Sequence, residues 1–558
     1  MKTSYQLFFL LLLIIGCTNQ EQDFYKITLA EYQDKMKGAW VGQMAGVGWG
    51  LPTEFNYTDQ IIPAEEVPQW QDEMVNQHGN DDIYVEMTFL HSMDQYGLDV
   101  DIEQAGIDFA NTGYTLWAAN KTGRENLRYG IAPPASSHPQ FSNNCDDIDY
   151  QIEADYSGII APGMPQVPVE MGEKFGRLMN YGDGMYGGQF VGAMYAAAYF
   201  LDDVEEVVKA GLAAIPAESH YATCVNDVIN WYHQHPDNWQ ETWQLIEEKY
   251  HNSDEFQKFA QQSNAWKPID AKLNGAYIVL GLLYGQGNMD STIVISMRGG
   301  KDSDCNPSNA AGVLGTMIGF ENLDRKYKRT LDYEKNFSYS EYNFNQLINL
   351  CENFTRELII KNDGRIEEGD QTVFYIRKTP ASPSAFHPSY SPAPPPENTR
   401  YSEEQLQQIK AYAAAHFDEA LKFFPVDIDV YHCGKEVLPE LISWNGKENV
   451  LATIPMSSQR GVSLEINSKN QIPAGKNAWL TFKAGHEAGQ SWRLKIQNGS
   501  DRLDTLVTET NSANGWLDMK IDLSQFAGKE EMRVVLNSET EKEEMVKNYW
   551  TDFNIEIE

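Results

Sequence analysis

The run Gly299-Gly300-Lys301-Asp302-Ser303-Asp304-Cys305-Asn306-Pro307 decides how most of this chain reads, together with the Ser308-Asn309-Ala310-Ala311-Gly312-Val313-Leu314-Gly315-Thr316-Met317 that follows it. Two glycines let the backbone turn sharply. Asn306-Pro307 predicts a helix start, with Asn as the cap and Pro at the first helical position. The small residues after it predict a helix packed closely on its neighbours. Asp302 and Asp304 then fall in the tight loop that enters the helix. Acidic residues at helix starts are usually caps, favoured by the helix dipole. Two Asp after a Gly pair are denser than capping needs, and a metal site is the favoured reading of this stretch.

A second acidic stretch, Gly79-Asn80-Asp81-Asp82, lies more than 200 residues upstream. Asn80 or Asp81 is placed to cap a helix running through Ile83, Met87, Phe89 and Leu90, and taken alone this stretch reads more simply as a cap. Carboxylates crowded together repel one another unless a positive charge sits between them. A hard divalent cation that prefers oxygen ligands, Mg²⁺ or Mn²⁺, is the natural candidate.

Taken together, the two stretches resemble the ADP-ribosylglycohydrolases related to the dinitrogenase-reductase-activating glycohydrolase. That family carries Thr-Asp-Asp near its first third and Gly-Gly-Asp-Thr-Asp-Thr before a small-residue helix near its end. Gly38-Ala39-Trp40-Val41-Gly42, then Gly46 and Pro52-Thr53-Glu54-Phe55, resemble its glycine-rich first helix and the acidic residue after it. The resemblance covers roughly residues 25 to 360. It implies an orthogonal all-α bundle and a binuclear Mg²⁺ or Mn²⁺ centre. Its implied ligands are Asp81, Asp82, Asp302 and Asp304, with Asn80 and Cys305 beside them. Glu54 is the implied acid/base or water-orienting group, and Asp82 shares the catalytic role. The chain departs from the family at four points. Asn80 replaces Thr or Ser, and Ile83 replaces a hydroxyl residue. Lys301 is inserted after the Gly pair. Cys305 replaces a Thr ligand, and a thiol is a softer, poorer partner for Mg²⁺.

Two further regions are candidates for substrate contact. Asn143 to Tyr156 is crowded with acids, including Asp146 and Asp147. It reads equally as an exposed amphipathic strand, a helix or a solvated acidic face. Asn180-Tyr181-Gly182-Asp183-Gly184-Met185-Tyr186 precedes a strong helix pattern, so its amides are candidates to face a substrate. Asp183 lies in that turn. Tyr181 and Tyr186 are candidate stacking platforms, with core packing as the alternative.

Apolar spacing predicts helices over 189–215, 270–284 and 347–360. Thr379 to Pro396 is rich in Pro and Ser and predicts an extended, semi-rigid linker. A capping box at Ser402-x-x-Gln405 then predicts a helix to Phe424. From about residue 441 the apolar period is two, as in Val462-Leu464-Ile466, Trp492-Leu494-Ile496 and Leu517-Met519-Ile521. Short alternating strands between Gly, Asn and Ser signals predict a β-sandwich, jelly-roll-like, with sugar binding or a purely structural role as alternatives.

Lys2 precedes an apolar run, Leu7 to Ile15, that is too short to span a bilayer. It ends in Ile14-Ile15-Gly16-Cys17, which resembles the lipobox of bacterial lipoproteins, with Cys17 as the lipidated residue. The expected organisation is a leader over 1–17, a helical catalytic domain over 25–375, a Pro-rich linker plus helix over 376–440 and a sandwich over 441–558. Cys145, Cys224, Cys305, Cys351 and Cys433 have no paired spacing, so no zinc site or disulfide framework is indicated. The formal charge of −37, from 80 acidic against 43 basic residues, argues against nucleic acid or an anionic membrane surface as a ligand.

The expected function is metal-dependent hydrolysis of a glycosidic bond to ADP-ribose or a related ribosyl sugar. Two alternatives stand beside it. One is an exported glycosidase of the same fold, acting on a glycan or nucleoside. The other is a non-catalytic sugar- or metal-binding lipoprotein. The expected place is the bacterial cell envelope, with membrane contact through the lipid anchor only.

Overall fold

The computed structural model describes residues 23–253, 269–409, 421, 424–433, 440–455, 461–467, 470–487, 489–498, 501–508, 514–529, 532–540 and 547–558. The N-terminal apolar run and Cys17 lie outside them, as does most of the helix expected after Ser402. The chain divides into two compact units. One takes in residues up to Gly106, with Trp117–Asn126 and Ala132–Thr399. The other joins Ile107–Leu116 and Leu127–Ile131 to Arg400–Glu558.

The first unit is helical, as expected. Its helices are α1 (Leu29–Gly50), α2 (Asp81–Tyr96), α3 (Ile102–Ala110, whose last four residues are grouped with the second unit), α4 (Ala118–Arg128), α5 (Asp149–Ile152), α6 (Asp155–Ile159), α7 (Gln166–Lys174), α8 (Asp183–Ala198), α9 (Val204–Leu212), α10 (His220–Gln234), α11 (Trp239–Ile246), α12 (Ala271–Gly285), α13 (Met289–Arg298), α14 (Cys305–Ile318) and α15 (Phe344–Lys361). The single helix expected over 189–215 is two, because the Asp203 side chain accepts the Glu206 amide and starts α9 afresh. A small antiparallel sheet, unexpected from the sequence, pairs β1 (Phe24–Thr28) with β3 (Val373–Arg377), and β3 with β2 (Arg365–Glu367).

The contact that organises this unit is α1 against α14. Glycines recur every fourth residue along α1, and each faces backbone. A Cβ added at Gly38 would lie 2.3 Å from the Gly315 carbonyl oxygen. At Gly42 it would lie 2.2 Å from that of Ala311, at Gly46 2.2 Å from that of Pro307, and at Gly50 2.1 Å from that of Ser303. The two helices therefore run antiparallel in direct backbone contact. The stripe ends where the Asp302–Asp304 loop begins, and the Thr53 and Ser303 hydroxyls lie 2.8 Å apart there.

Behind this pair lies a buried polar layer. Glu86 on α2 accepts the Gln43 amide side chain from α1 and, at 2.7 Å, the Tyr156 backbone N–H from α6. Asp155 accepts the Tyr195 hydroxyl of α8 and, at 2.7 Å, the Asn309 amide of α14. These bonds tie α2 and α14, the two carriers of the acidic stretches, to one frame.

The Pro-rich stretch is extended, as its composition implies, but it is fastened to the helical unit. The Ser382 amide donates to Gln166 Oε1 at 2.8 Å. Gln189 Nε2 donates to Ser384 Oγ at 2.8 Å, and Ser389 Oγ donates to Asp146 Oδ2 at 2.8 Å.

The second unit carries a short helix α16 (Glu403–Leu406) and two five-stranded antiparallel sheets. Strands β4 (Ile428–Cys433), β7 (Gly461–Ile466), β9 (Trp492–Asn498), β10 (Asp501–Val507) and β12 (Val534–Glu539) form one, in the order β10-β9-β12-β7-β4. Strands β5 (Glu440–Trp444), β6 (Lys447–Thr453), β8 (Ala478–His486), β11 (Trp516–Asp522) and β13 (Asn548–Ile557) form the other, in the order β11-β8-β13-β6-β5. Leu464, Trp492, Leu494 and Leu536 of the first meet Leu480, Phe482, Trp550 and Phe553 of the second in one buried core. The period-two pattern places one residue in two on that core. No described helix is long and apolar enough to cross a membrane.

Gly42→Ala tests the close contact. The new methyl has nowhere to go without moving the α14 backbone, so a loss of about 1–3 kcal/mol is expected. Denaturant unfolding followed in the full chain measures it, and an unchanged midpoint would contradict the packing.

Candidate metal centre

Helix α14 starts at Cys305, with Asp304 as its N-cap. The sequence reading put the cap at Asn306. That residue is instead inside the first turn, donating its side-chain amide to Asn274 Oδ1 on α12 at 2.8 Å. Pro307 still sits in the first turn, where a missing N–H costs nothing. The Asp304 carboxylate makes no capping bond. Asp302 Oδ1 takes the Cys305 amide instead, at 3.4 Å. The capping explanation therefore does not account for Asp304.

What accounts for it is the site it faces. One ligand atom each from Asp82, Asp304 and Cys305 lie within 4.8 Å of one another, and so do those of Glu54, Asp302 and Asp304. Asp304 belongs to both groups. The fold thus brings together the two acidic stretches and Glu54, which follows the end of the α1 glycine stripe. Asp82, Asp302, Asp304 and Cys305 are all buried, and Glu54 is half-buried. Cys305 Sγ lies 3.1 Å from Asp82 Oδ1 and 3.7 Å from Asp304 Oδ1. Asp82 Oδ2 is buried with no hydrogen-bond partner among the described residues.

Burial and mutual repulsion set the electrostatics. Burial first, then Asp304 and Asp81, raise Asp82 well above the usual carboxylate range. Burial and Asp302 do the same to Asp304. Burial pushes Asp302 up to about 8, with Asp82 and Glu54 adding to the shift. Glu54 is also raised to about 8, by burial and by Asp304 and Asp81. Burial and the surrounding Asp residues keep the Cys305 thiol protonated. Without a cation, these groups hold protons that ordinary carboxyls release.

The remaining predicted residues fall around this cluster. Asn80 is the cap of α2, its Oδ1 accepting the Asp82 amide at 2.9 Å. Asp81 lies outside both ligand groups and acts through its charge. Asp146, Asp147 and Tyr181 are buried, Asp183 is half-buried, and none of the four belongs to either ligand group. Asp146 accepts Ser389 of the Pro-rich stretch, and Asp183 accepts the Tyr221 amide at 3.2 Å. Tyr181 packs edge-on against His138, ring centroids 5.3 Å apart. The glycine turn beneath them faces the chain itself: a Cβ on Gly182 would meet the His387 carbonyl at 3.0 Å. Three of these four residues, Asp146, Asp183 and Tyr181, thus make contacts within the fold. The acids of 143–156 are not a solvated face. Asp149 accepts the Asn120 amide at 2.9 Å, and Glu153 accepts the Asn120 side chain.

Sequence reasoning missed Glu247 and His251, which form a buried group with Lys301; no motif marks them. The sequence marks Lys301 only as an insertion. Its Nζ turns away from the carboxylates to Glu247 Oε1, 3.0 Å away.

The sequence model of the ADP-ribosylglycohydrolase family matches residues 28–361. This chain belongs to that family. No curated protein sequence matches it. Among solved structures, an "ADP-ribosylglycohydrolase-related protein complex" is similar at 14% identity and a TM-score of 0.40, covering 59% of this chain and 99% of that one. Membership supports a glycohydrolase activity in general terms and a metal-binding site. The donor set here fits a dication. It is nearly all oxygen, it is crowded and buried, and it leaves one carboxylate oxygen of Asp82 without a partner among the described residues.

The raised carboxyls give a stability signature. In the metal-free chain their folded pKa values exceed the unfolded ones, so the native state binds more protons and stability falls as pH rises between about 4 and about 8. A dication holds the same groups ionised, and its binding releases those protons. The melting temperature of the chelated protein is expected to fall across that window. Added Mg²⁺ or Mn²⁺ should raise it more near pH 8 than near pH 5. Melting curves that ignore metal at both ends would contradict the site.

Proposed function

We propose that this chain is a dication-dependent glycohydrolase that cleaves a glycosidic bond to ADP-ribose or a related ribosyl sugar. The observation that carries this reading is the double membership of Asp304, one carboxylate common to two ligand groups. That arrangement suits a binuclear centre. Asp82, Asp302 and Asp304 would hold the ions, with Glu54 at the edge and the Cys305 thiol in contact. Bound Mg²⁺ or Mn²⁺ would supply Lewis-acid stabilisation of negative charge on sugar hydroxyls or on an attacking water.

The chain's own residues supply the rest. Glu54 is the most accessible of the acids, and its carboxyl at about 8 keeps a proton near neutral pH. A group tuned close to working pH both gives and takes protons efficiently, so Glu54 is assigned the proton transfer. Burial of Asp82, Asp302 and Asp304 excludes water from the ligand side and strengthens every charge interaction there.

The location is part of the proposal. Ile14-Ile15-Gly16-Cys17 supports export and a lipid anchor at Cys17 in a bacterial envelope, with the membrane touched only through lipid. An exported enzyme meets glycans and nucleosides more readily than cytoplasmic ADP-ribosyl proteins, which favours those substrates as the second reading. The strong negative charge still argues against nucleic acid.

Hydrolysis of ADP-ribosyl conjugates, furanosyl glycans and nucleosides is the direct comparison, with Mg²⁺, Mn²⁺ or chelator. Asp302→Ala is expected to lower turnover by about three orders of magnitude or more, the scale of losing a charge-stabilising group. Cleavage of glycans alone would move the assignment to the second reading. Metal binding without any hydrolysis would make the chain a binding protein.

A further inference from the structure

We propose that Lys301, the residue inserted between the Gly pair and Asp302, is a positioning residue that locks the Glu54 loop onto the Asp302–Asp304 loop. The inference rests on reading this cluster as a dication site. It comes from how much of the neighbouring loop a single residue holds. The Lys301 amide donates to the Tyr57 carbonyl at 2.8 Å, and its own carbonyl accepts the Phe55 amide at 3.0 Å. Its side chain, 1% exposed, donates from Nζ to the Thr58 carbonyl at 2.8 Å. Main chain and side chain therefore grip three residues of the segment that begins at Glu54.

The grip has its own support. Nζ also reaches Glu247 Oε1 at 3.0 Å and lies 2.9 Å from His251 Nδ1. Glu247 and His251 sit on a π-helical turn, Glu247–His251, of the kind that recurs at functional sites. The Tyr277 hydroxyl donates to Glu247 and fixes it. His251 Nε2 lies 3.4 Å from Asp59 Oδ1, adding a fourth point on the same loop.

The backbone at the junction is held in conformations that L residues seldom adopt. Lys301 has φ +59°, and Phe55, which its carbonyl holds, has φ +51°. Gly300 has φ +80°, and a Cβ there would lie 2.4 Å from the Tyr57 carbonyl oxygen. Such conformations persist only where the surroundings over-determine them. Glu54 is one peptide from Phe55, and Asp302 is one peptide from Lys301. Any slip of the clamp therefore passes directly to an acid/base group on one side and to a ligand on the other.

The test is Mn²⁺ titration of the full chain, followed by electron paramagnetic resonance, beside turnover of whichever glycoside the protein cleaves. Lys301→Met keeps the buried stem and removes the charge. Its Mn²⁺ affinity is expected to fall about 10- to 100-fold, the range for losing a group that orients metal ligands. The bound-Mn²⁺ spectrum should change, and kcat should fall with little change in KM. Glu247→Gln keeps volume and an acceptor, and should give a smaller loss in the same direction. Lys272→Met breaks another buried ion pair, with Asp270 at 2.5 Å, and should leave Mn²⁺ affinity within about twofold, since it does not grip the Glu54 loop. Wild-type affinity and spectrum in Lys301→Met would overturn the proposal. If that variant does not fold, the same result in Glu247→Gln would overturn it. A wild-type chain that binds no Mn²⁺ would overturn the metal-site reading and this inference with it.

Discussion

Backbone-to-backbone contact between α1 and α14 is the constraint on which the helical unit depends. Four glycines, at 38, 42, 46 and 50, give α1 a face without side chains, and the α14 backbone fills it. Helices this close have almost no freedom to slide, because any larger residue would have to displace main chain and not a flexible side-chain end. The consequence is functional. The contact runs to Ser303, so the end of α1 delivers Glu54 beside the loop that carries Asp302 and Asp304. The polar layer through Glu86 and Asp155 then brings the start of α2, with Asp82, to the same place.

The site made in this way is electrostatically expensive. An ionised carboxylate taken out of water without compensation is disfavoured so strongly that it takes up a proton instead. Glu54 and Asp302 at about 8 express that cost. Asp82 retains an oxygen with no hydrogen-bond partner among the described residues. A stretch of core evolved only for stability would pair or remove such groups, since a partly satisfied buried network is worse than an apolar one. A cation that enters and satisfies several carboxylates together makes the arrangement economical. Cys305 adds a thiol where the family has a hydroxyl, and it points at Asp82 and Asp304 whether or not it touches an ion.

Much of this was legible in the sequence, because its signals were local. The Gly-Gly-x-Asp-x-Asp run, the small-residue helix and the period-two strands each depend on residues close together in the chain. The failures came from distant partners. Asn306 looked like a cap until Asn274 engaged its side chain. For the acids of 143–156 a solvated face stands open beside a strand or a helix, because nothing nearby announces Asn120, Tyr195 and Asn309, which donate to Asp149, Glu153 and Asp155. The glycine-rich turn at Tyr181 and Asp183 has a distant neighbour too, because a Cβ on Gly182 would meet the His387 carbonyl of the Pro-rich stretch, some two hundred residues later. Pairing of Phe24–Thr28 with Val373–Arg377 joins opposite ends of the helical unit, a separation that no local pattern encodes.

The central claim is that Asp304 serves two ligand groups in one metal centre. Isothermal titration of Mg²⁺ or Mn²⁺ into the chelated full chain, with Asp304→Asn beside it, tests this most directly. The account predicts about two ions per chain, as in two-metal hydrolytic sites, and loss of affinity at both positions in the variant. Absence of binding, or a variant that binds both ions as the parent does, would contradict it.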